Sequence, residues 1–178
     1  MSHDAPRQPG LPEAGASLDI VTRTSDNTFD VTLNALSLQA NGAGVSTYIR
    51  ELMRELPAVV QGRLGAMVDA RLAAAMPSGV HALARPSAGG LRRTLQSARG
   101  PGVSTSIFHG LDLDLPARSR ASTVTTIHDL AVFDVPWAFS RRKSVGEQIL
   151  VRSAVRRADH LIAVSELRHD GSQAVEQR

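Results

Sequence analysis

A histidine and an aspartate stand side by side where an apolar segment of the chain ends, at His128 and Asp129. An imidazole there can donate a hydrogen bond to a hydroxyl group or hold a charge near a phosphate. The pair is the first candidate for catalytic residues, although a strand-end histidine can also simply satisfy its N–H on the backbone. A metal site is not expected, because no second ligand follows at helical or hairpin spacing.

A loop with two glycines, Gly42 and Gly44, precedes a segment of helical character that begins with Val45 and Ser46. Glycines let the backbone come close to a phosphate while the first N–H groups of a helix point at it. The third glycine of the dinucleotide fingerprint is replaced by Thr47, and no Gly-Lys-Ser/Thr sequence follows as in a P-loop. These four residues are candidate phosphate ligands, and the alternative is a tight strand-to-helix turn without a ligand.

Two further strand ends carry polar residues, at His109 and at Ser165-Glu166. A serine that opens a helix is usually a cap, which is the alternative for Ser165. Neither Ser165 nor Ser46 stands in the Gly-x-Ser-x-Gly sequence of a nucleophile elbow, so a Ser-His-Asp hydrolase is not supported.

The composition predicts one folded domain, since 178 residues with 42% hydrophobic and 21% charged content suit a core of ordinary size. The chain has no cysteine, which excludes disulfides and thiolate metal sites and fits a reducing compartment. The prolines and glycines of residues 1–17 predict a flexible leader ahead of the domain at residues 18–178.

Charge and aromatic content bear on the partners of the chain. The net charge is only +3 and aromatic residues are 3%, too few for base stacking, so nucleic-acid binding is not expected. The basic run Arg141, Arg142 and Lys143 is either a solvated helix face or a contact with an anionic membrane surface. No apolar run approaches ~20 residues and no secretory signal opens the chain, so we expect a cytoplasmic protein, at most peripheral to the inner membrane face.

Hydrophobic periodicity predicts strands that alternate with helices. The helices are expected at residues 46–56, with Ser46 as N-cap and Pro57 as stop, at one turn near residues 91–97, and at residues 140–157. An apolar stripe of Val145, Ile149 and Ala154 is expected on the last of them. The strands are expected at residues 29–38, 64–68, 80–83, 106–109, 123–128 and 160–164.

This alternation predicts an α/β fold with a Rossmann-like parallel sheet and helices on both faces. In such sheets the loops at the carboxyl ends of the strands bind ligands. The glycine loop, His109 and His128-Asp129 all fall at such ends, so they should open on one edge of the sheet.

Taken in order, these segments resemble the N-terminal domain of glycosyltransferase family 4, the retaining transferases of GT-B fold. The likeness is carried by residues 31–34 with the loop and helix at residues 42–52, by residues 106–110 with residues 125–130, and by residues 156–166. It covers about residues 30–170 and is weak between residues 58 and 105.

The resemblance implies retaining transfer of a sugar from a nucleotide diphosphate-sugar to a glycan or lipid acceptor, without a metal or another cofactor. By position, Gly42 and Gly44 would approach the donor diphosphate, together with Val45 and Ser46. His128 would lie near the transferred sugar, and Asp129 would orient it or the acceptor. The cleft rim would carry His109, Ser165 and Glu166.

The same resemblance implies one half of a GT-B architecture. The last elements of the family's N-terminal domain and its whole donor domain have no counterpart in the sequence, so the chain by itself is expected to be inactive. Two alternatives remain at this point. One is a dinucleotide-binding oxidoreductase domain with Asp69 as the ribose-binding acid, and the other is a non-catalytic partner of a separate donor-domain chain.

Overall fold

The structure is a computed structural model, and it describes residues 28–164. The leader predicted at residues 1–17 and the pair Ser165-Glu166 lie outside these residues. The strands are β1 (Thr28–Asn34), β2 (Leu64–Asp69), β3 (Val80–Arg85), β4 (Ser104–Gly110), β5 (Ser122–Ile127) and β6 (His160–Ala163). The α-helices are α1 (Val45–Val59), α2 (Gly90–Ala98), α3 (Ala131–Asp134) and α4 (Arg141–Arg157), with 3₁₀ turns at Ala70–Ala75 and Pro136–Ala138.

Within the described residues, six parallel strands form one sheet in the order β3-β2-β1-β4-β5-β6. The chain runs outward from β1 to β3 and then crosses back to place β4 on the other side of β1. The strand order therefore reverses between β1 and β4, where Asn34 pairs with Gly110. Open parallel sheets bind ligands at such a reversal, outside the carboxyl ends of the strands. The α/β Rossmann-like fold predicted from the sequence is confirmed.

Two apolar cores lie on opposite faces of the sheet, because successive side chains of a strand point to opposite sides. Ala66 and Val68 of β2 join one core with Ile49 and Met53 of α1. The side chain between them, Met67, joins the other core, to which α4 contributes its buried residue at position 154. Helices α1 and α4 therefore cover different faces, as doubly covered parallel sheets require.

The first strand is shorter than its apolar pattern predicted, since β1 ends at Asn34 and not at residue 38. The side chain of Asn34 accepts from the amide of Leu36 and donates to the carbonyl of Asp114, and these bonds draw the backbone out of the ladder. Leu36 and Leu38 are nevertheless buried. The apolar run beyond Asn34 therefore reflects burial of a loop, not continuation of the strand.

The caps predicted for the first helix are wrong at both ends. Gly44 is the N-cap, and the hydroxyl of Ser46 accepts a hydrogen bond from the amide of Gln39 inside the loop. Pro57 lies within the last turn, and the helix continues two residues beyond it, to Val59.

The stripe predicted on α4 is also wrong, because only Ala154 is buried while Val145 and Ile149 are 56% and 60% exposed. At 3.6 residues per turn, a residue nine positions from Val145 lies on the opposite side of the helix. The buried face is instead formed by Ser144, Val151 and Ala154. The helix was expected to begin at Ser140, which is its N-cap, with its hydroxyl accepting from the amide of Lys143 at 3.4 Å.

No helix between Thr28 and Val164 is long and apolar enough to cross a membrane.

Candidate functional site

A depression opens at the carboxyl edge of the sheet, next to the ends of β4 and β5, with a volume of about 260 Å³. We call it the acidic depression, because four carboxylates and one guanidinium line it. Its lining residues are Val45, Arg93, Asp112, Leu113, Asp114, His128, Asp129, Val132, Glu147, Leu150 and Val151. The structure thus brings His128, Asp129 and Val45 together, as expected for loops on nearby strands of one sheet.

His128 is half-buried, and the backbone satisfies its ring N–H, which is the structural alternative considered for it. Its Nε2 donates to the carbonyl of Leu111 at 2.9 Å, and its ring packs edge-on against Tyr48 at 4.9 Å between centroids. The backbone bond fixes the orientation of the ring and places the proton on Nε2. In the neutral imidazole, Nδ1 is then an acceptor that a substrate hydroxyl can meet.

The carboxylates of the depression keep most of their acceptor capacity. Asp129 is exposed and accepts one bond, from the amide of Ala131 at 3.3 Å. Asp112 accepts from the amide of Leu113 at 2.9 Å. A carboxylate offers about four lone-pair sites, so each can still accept from hydroxyl groups.

Asp114 is the buried member of the group, with its side chain 8% exposed. Burial raises its pKa, and the charge of Arg93 opposes that rise. The two side chains form an ion pair, with 3.3 Å between Arg93 Nε and Asp114 Oδ2, but their geometry is not that of a hydrogen bond. Arg93 belongs to α2, so this ion pair links α2 to the loop after β4.

A hydrogen-bonded chain lies behind the depression, with the buried Thr126 at its centre. The hydroxyl of Thr126 is 2.9 Å from Nε2 of His109 and 3.1 Å from the hydroxyl of Tyr48. Burial lowers the pKa of His109 to about 4, so this imidazole is neutral near pH 7. His109 is thus a buried strand residue, and it does not lie at an open rim as the resemblance implied.

The glycine loop has structural reasons for both of its glycines. A Cβ at Gly42 would overlap the hydroxyl of Ser46, and Gly44 has a φ of 58°, which L side chains rarely adopt. The amide of Ser46 donates to the carbonyl of Ala43, so it is already used inside the turn. Arg50 holds the loop from α1, since its Nη2 lies 2.8–3.2 Å from the carbonyls of residues 39, 40 and 42. Neither glycine lines the acidic depression.

A second, larger depression of about 560 Å³ lies on the same edge, beyond Arg93. We call it the glycine-rich depression. Its lining residues are Leu36, Ser37, Leu38, Gln39, Asp69, Arg71, Ser87, Ala88, Gly89, Gly90 and Arg93. Arg93 lines both depressions and separates them.

Asp69 is the acid of the glycine-rich depression, and its carboxylate is fully engaged. Arg71 donates to it from its backbone N, its Nε and its Nη2, and the hydroxyl of Ser87 donates at 2.7 Å. These bonds, the side chain of Arg71 first, hold the pKa of Asp69 well below its usual range. The carboxylate is therefore ionised and already bonded, which leaves it little capacity for a ribose.

Sequence reasoning missed several residues of the acidic depression. Asp112 and Asp114 directly follow β4, so the rule that located His128 also applied to them. Glu147 and Arg93 come from α4 and α2, and no local pattern points to their place at the sheet edge. Among residues 28–164, no three His, Asp or Glu side chains are grouped so that they could hold a metal ion.

A comparison of the chain with protein-family models, with curated proteins and with solved structures finds no match.

Proposed function

We propose that residues 28–164 form the acceptor-side domain of a glycosyltransferase that moves a sugar, with retention, from a nucleotide diphosphate-sugar to a glycan or lipid acceptor. The observation that carries this proposal is the acidic depression at the strand-order reversal of a parallel sheet. The resemblance in the order of the sequence motifs supports the same function.

The charge of the depression favours an acceptor over a phosphate. Four acids line the depression, Asp112, Asp114, Asp129 and Glu147, and two cations pair with them, Arg93 with Asp114 and Lys143 with Glu147. The acids are in excess, so a diphosphate is disfavoured. Hydroxyl groups of a sugar, in contrast, donate to carboxylates, and such charge-assisted bonds are the stronger ones. The volume, about 260 Å³, is close to the ~300 Å³ at which small-molecule sites begin.

In this proposal His128 and Asp129 orient the reacting hydroxyl. Nδ1 of His128 accepts from one hydroxyl group, while Asp129 accepts from a second. Val45 lines the depression and begins α1, so the glycine loop with Gly42 and Gly44 borders the site on the side from which a donor would approach. The domain that grips the nucleotide is not part of residues 28–164, and a separate chain could supply it.

A dinucleotide-binding oxidoreductase domain is the second candidate, and one observation favours it. The strand order 3-2-1-4-5-6 is also that of the dinucleotide-binding fold, so the fold alone does not decide between the two. The engaged carboxylate of Asp69 and the absent third glycine count against it.

The test is a calorimetric titration of the purified chain with neutral glycans and glycolipid head groups, nucleotide-sugars and NAD. We expect an acceptor-type glycan to bind and Asp129→Asn to weaken it about tenfold, the usual effect of losing a charge-assisted bond. Asp134→Asn is the matched control, because Asp134 is an exposed acid of α3 outside the depression. Binding of NAD that Asp69→Asn abolishes, without glycan binding, would favour the oxidoreductase and overturn the proposal.

A further inference from the structure

The outer face of α4 exposes apolar side chains that have no partner among the described residues. Val145 and Ile149 are 56% and 60% exposed and lie one helical turn apart. The opposite face of the helix packs on the sheet through Val151 and Ala154. Val145 and Ile149 therefore do not belong to the core and form a second, exposed apolar face of α4.

Positive charge surrounds this apolar pair. Residues 135–157 contain six basic side chains and one acid, Glu147, which lines the acidic depression. Arg142 and Arg156 lie three and seven positions from Val145 and Ile149, respectively, on the same face of the helix. Arg141, Arg142 and Arg156 are exposed and form no ion pair with residues 28–164.

Trp137 is an exposed amphipathic aromatic residue close to the start of α4 in the sequence. It is the only tryptophan of the chain, and its side chain is 79% exposed in the 3₁₀ turn just before α4. Exposed tryptophans of this kind are enriched at the head-group level of membranes, where the ring is half in lipid and half in water.

We propose that this surface, formed by Trp137, Arg141, Arg142, Val145 and Ile149, docks on an anionic lipid bilayer. The arginines bind lipid phosphates, while Trp137 and the aliphatic pair enter the interface, as in helices that lie on a membrane. The aliphatic pair favours lipid over a nucleic acid, which would need only the arginines. The surface is separate from the acidic depression, so the docking does not depend on the proposed transferase function.

The fluorescence of Trp137 reports this docking directly. We expect vesicles of equal parts phosphatidylcholine and phosphatidylglycerol to shift its emission to the blue and to protect it from iodide. Phosphatidylcholine vesicles alone should do neither. Each arginine near an anionic surface is worth about fivefold in partitioning, so Arg141→Gln with Arg142→Gln should weaken binding about twenty-five-fold. Val145→Ser with Ile149→Ser should weaken it several-fold without unfolding the chain, since both side chains are exposed.

Matched controls carry the same chemical changes elsewhere. Arg118→Gln with Arg120→Gln removes two exposed arginines, and Val59→Ser changes an aliphatic residue that is 73% exposed. Neither should alter the partitioning by more than about twofold. Equal binding to neutral vesicles, or a loss as large in the controls, would overturn the proposal. So would binding of an oligonucleotide duplex that requires the arginines but not Val145 and Ile149.

Discussion

The two depressions at the carboxyl edge of the sheet share Arg93 but differ in polarity. The acidic depression places carboxylates from the loops after β4 and β5 and from α4 around one guanidinium. The glycine-rich depression has a single acid, Asp69, whose charge Arg71 balances and whose oxygens accept hydrogen bonds from Arg71 and Ser87. The same sheet edge therefore carries carboxylates that can accept hydrogen bonds from hydroxyl groups on one side of Arg93, and a surface lined by glycines and arginines on the other.

The loops and helices at this edge, not the sheet, make the two depressions chemically different. Both depressions lie at the same edge, where the fold favours binding of ligands in general. Of the two, only the acidic depression has carboxylates with free lone pairs, and only the acidic depression is lined by His128 and Asp129.

The largest change in stability is expected when the pH is lowered, and it arises behind the acidic depression, at His109. The pKa of His109, behind the acidic depression, is about 4 in the folded chain and about 6.5 in the unfolded chain. Between these values the unfolded chain binds the extra proton, so stability should fall by roughly 3 kcal/mol as the pH drops from about 6.5 to about 4. The raised pKa of Asp114 opposes part of this loss, because its protonation favours the folded state in acid. Asp69 stays ionised throughout this range in the folded chain, since its pKa is lowered.

Urea denaturation at several pH values measures this effect. The matched variant is His109→Gln, which retains a side chain able to bond Thr126 but does not titrate. It should flatten the dependence between about pH 6.5 and pH 4. An unchanged slope in that variant would show that His109 is not the group responsible.

A smaller effect is expected at the residue that joins the two regions. Arg93→Ala should lower the free energy of unfolding by about 2 kcal/mol, because it leaves the buried charge of Asp114 without its ion pair. Arg92→Ala is the matched control, since the neighbouring Arg92 is exposed, and it should change stability by less than about 0.5 kcal/mol. If the ion pair matters, adding Asp114→Asn to Arg93→Ala should recover part of the loss in a denaturation experiment.

Gly44 of the glycine loop, which borders the acidic depression, and Gly89 of the glycine-rich depression provide the next comparison. Gly44→Ala should cost about 1–2 kcal/mol, because its φ of 58° is unfavourable for alanine. Gly89→Ala, in the glycine-rich depression, should be neutral within about 0.5 kcal/mol, since Gly89 has a φ of −121° and free space around its Cα. Thermal denaturation of the two variants measures both losses. Equal losses would contradict the positive φ of Gly44 as the cause of the effect.

The smallest effect is expected from Arg71→Ala. Arg71 is exposed, and among residues 28–164 its side chain bonds only with Asp69 at the surface. Its removal should therefore leave the melting temperature almost unchanged. Glycan affinity should change by less than about twofold, because Arg71 does not line the acidic depression. A large loss of glycan affinity in this variant would indicate that the glycan binds in the glycine-rich depression, against the proposal.

The sequence predicted the sheet well because buried parallel strands are short apolar runs that local patterns detect. It also located His128 and Asp129, since a strand end is a local feature. The sequence did not predict features that depend on packing between distant segments of the chain. Glu147 and Arg93 reach the depression from two helices, and the exposure of Val145 and Ile149 depends on which side of α4 meets the sheet.

NMR can locate a bound glycan, and it tests most directly whether the acidic depression is the binding site. Backbone amide shifts of the labelled chain are followed while a panel of neutral oligosaccharides, and separately inorganic pyrophosphate, is added. Glycan binding in the acidic depression predicts that an oligosaccharide perturbs the amides of Val45, Asp112, His128 and Asp129, while pyrophosphate leaves those of Asp112 and Asp129 unchanged. Perturbation by the oligosaccharide at residues 69–71 and 87–90 instead, or at neither depression, would contradict it.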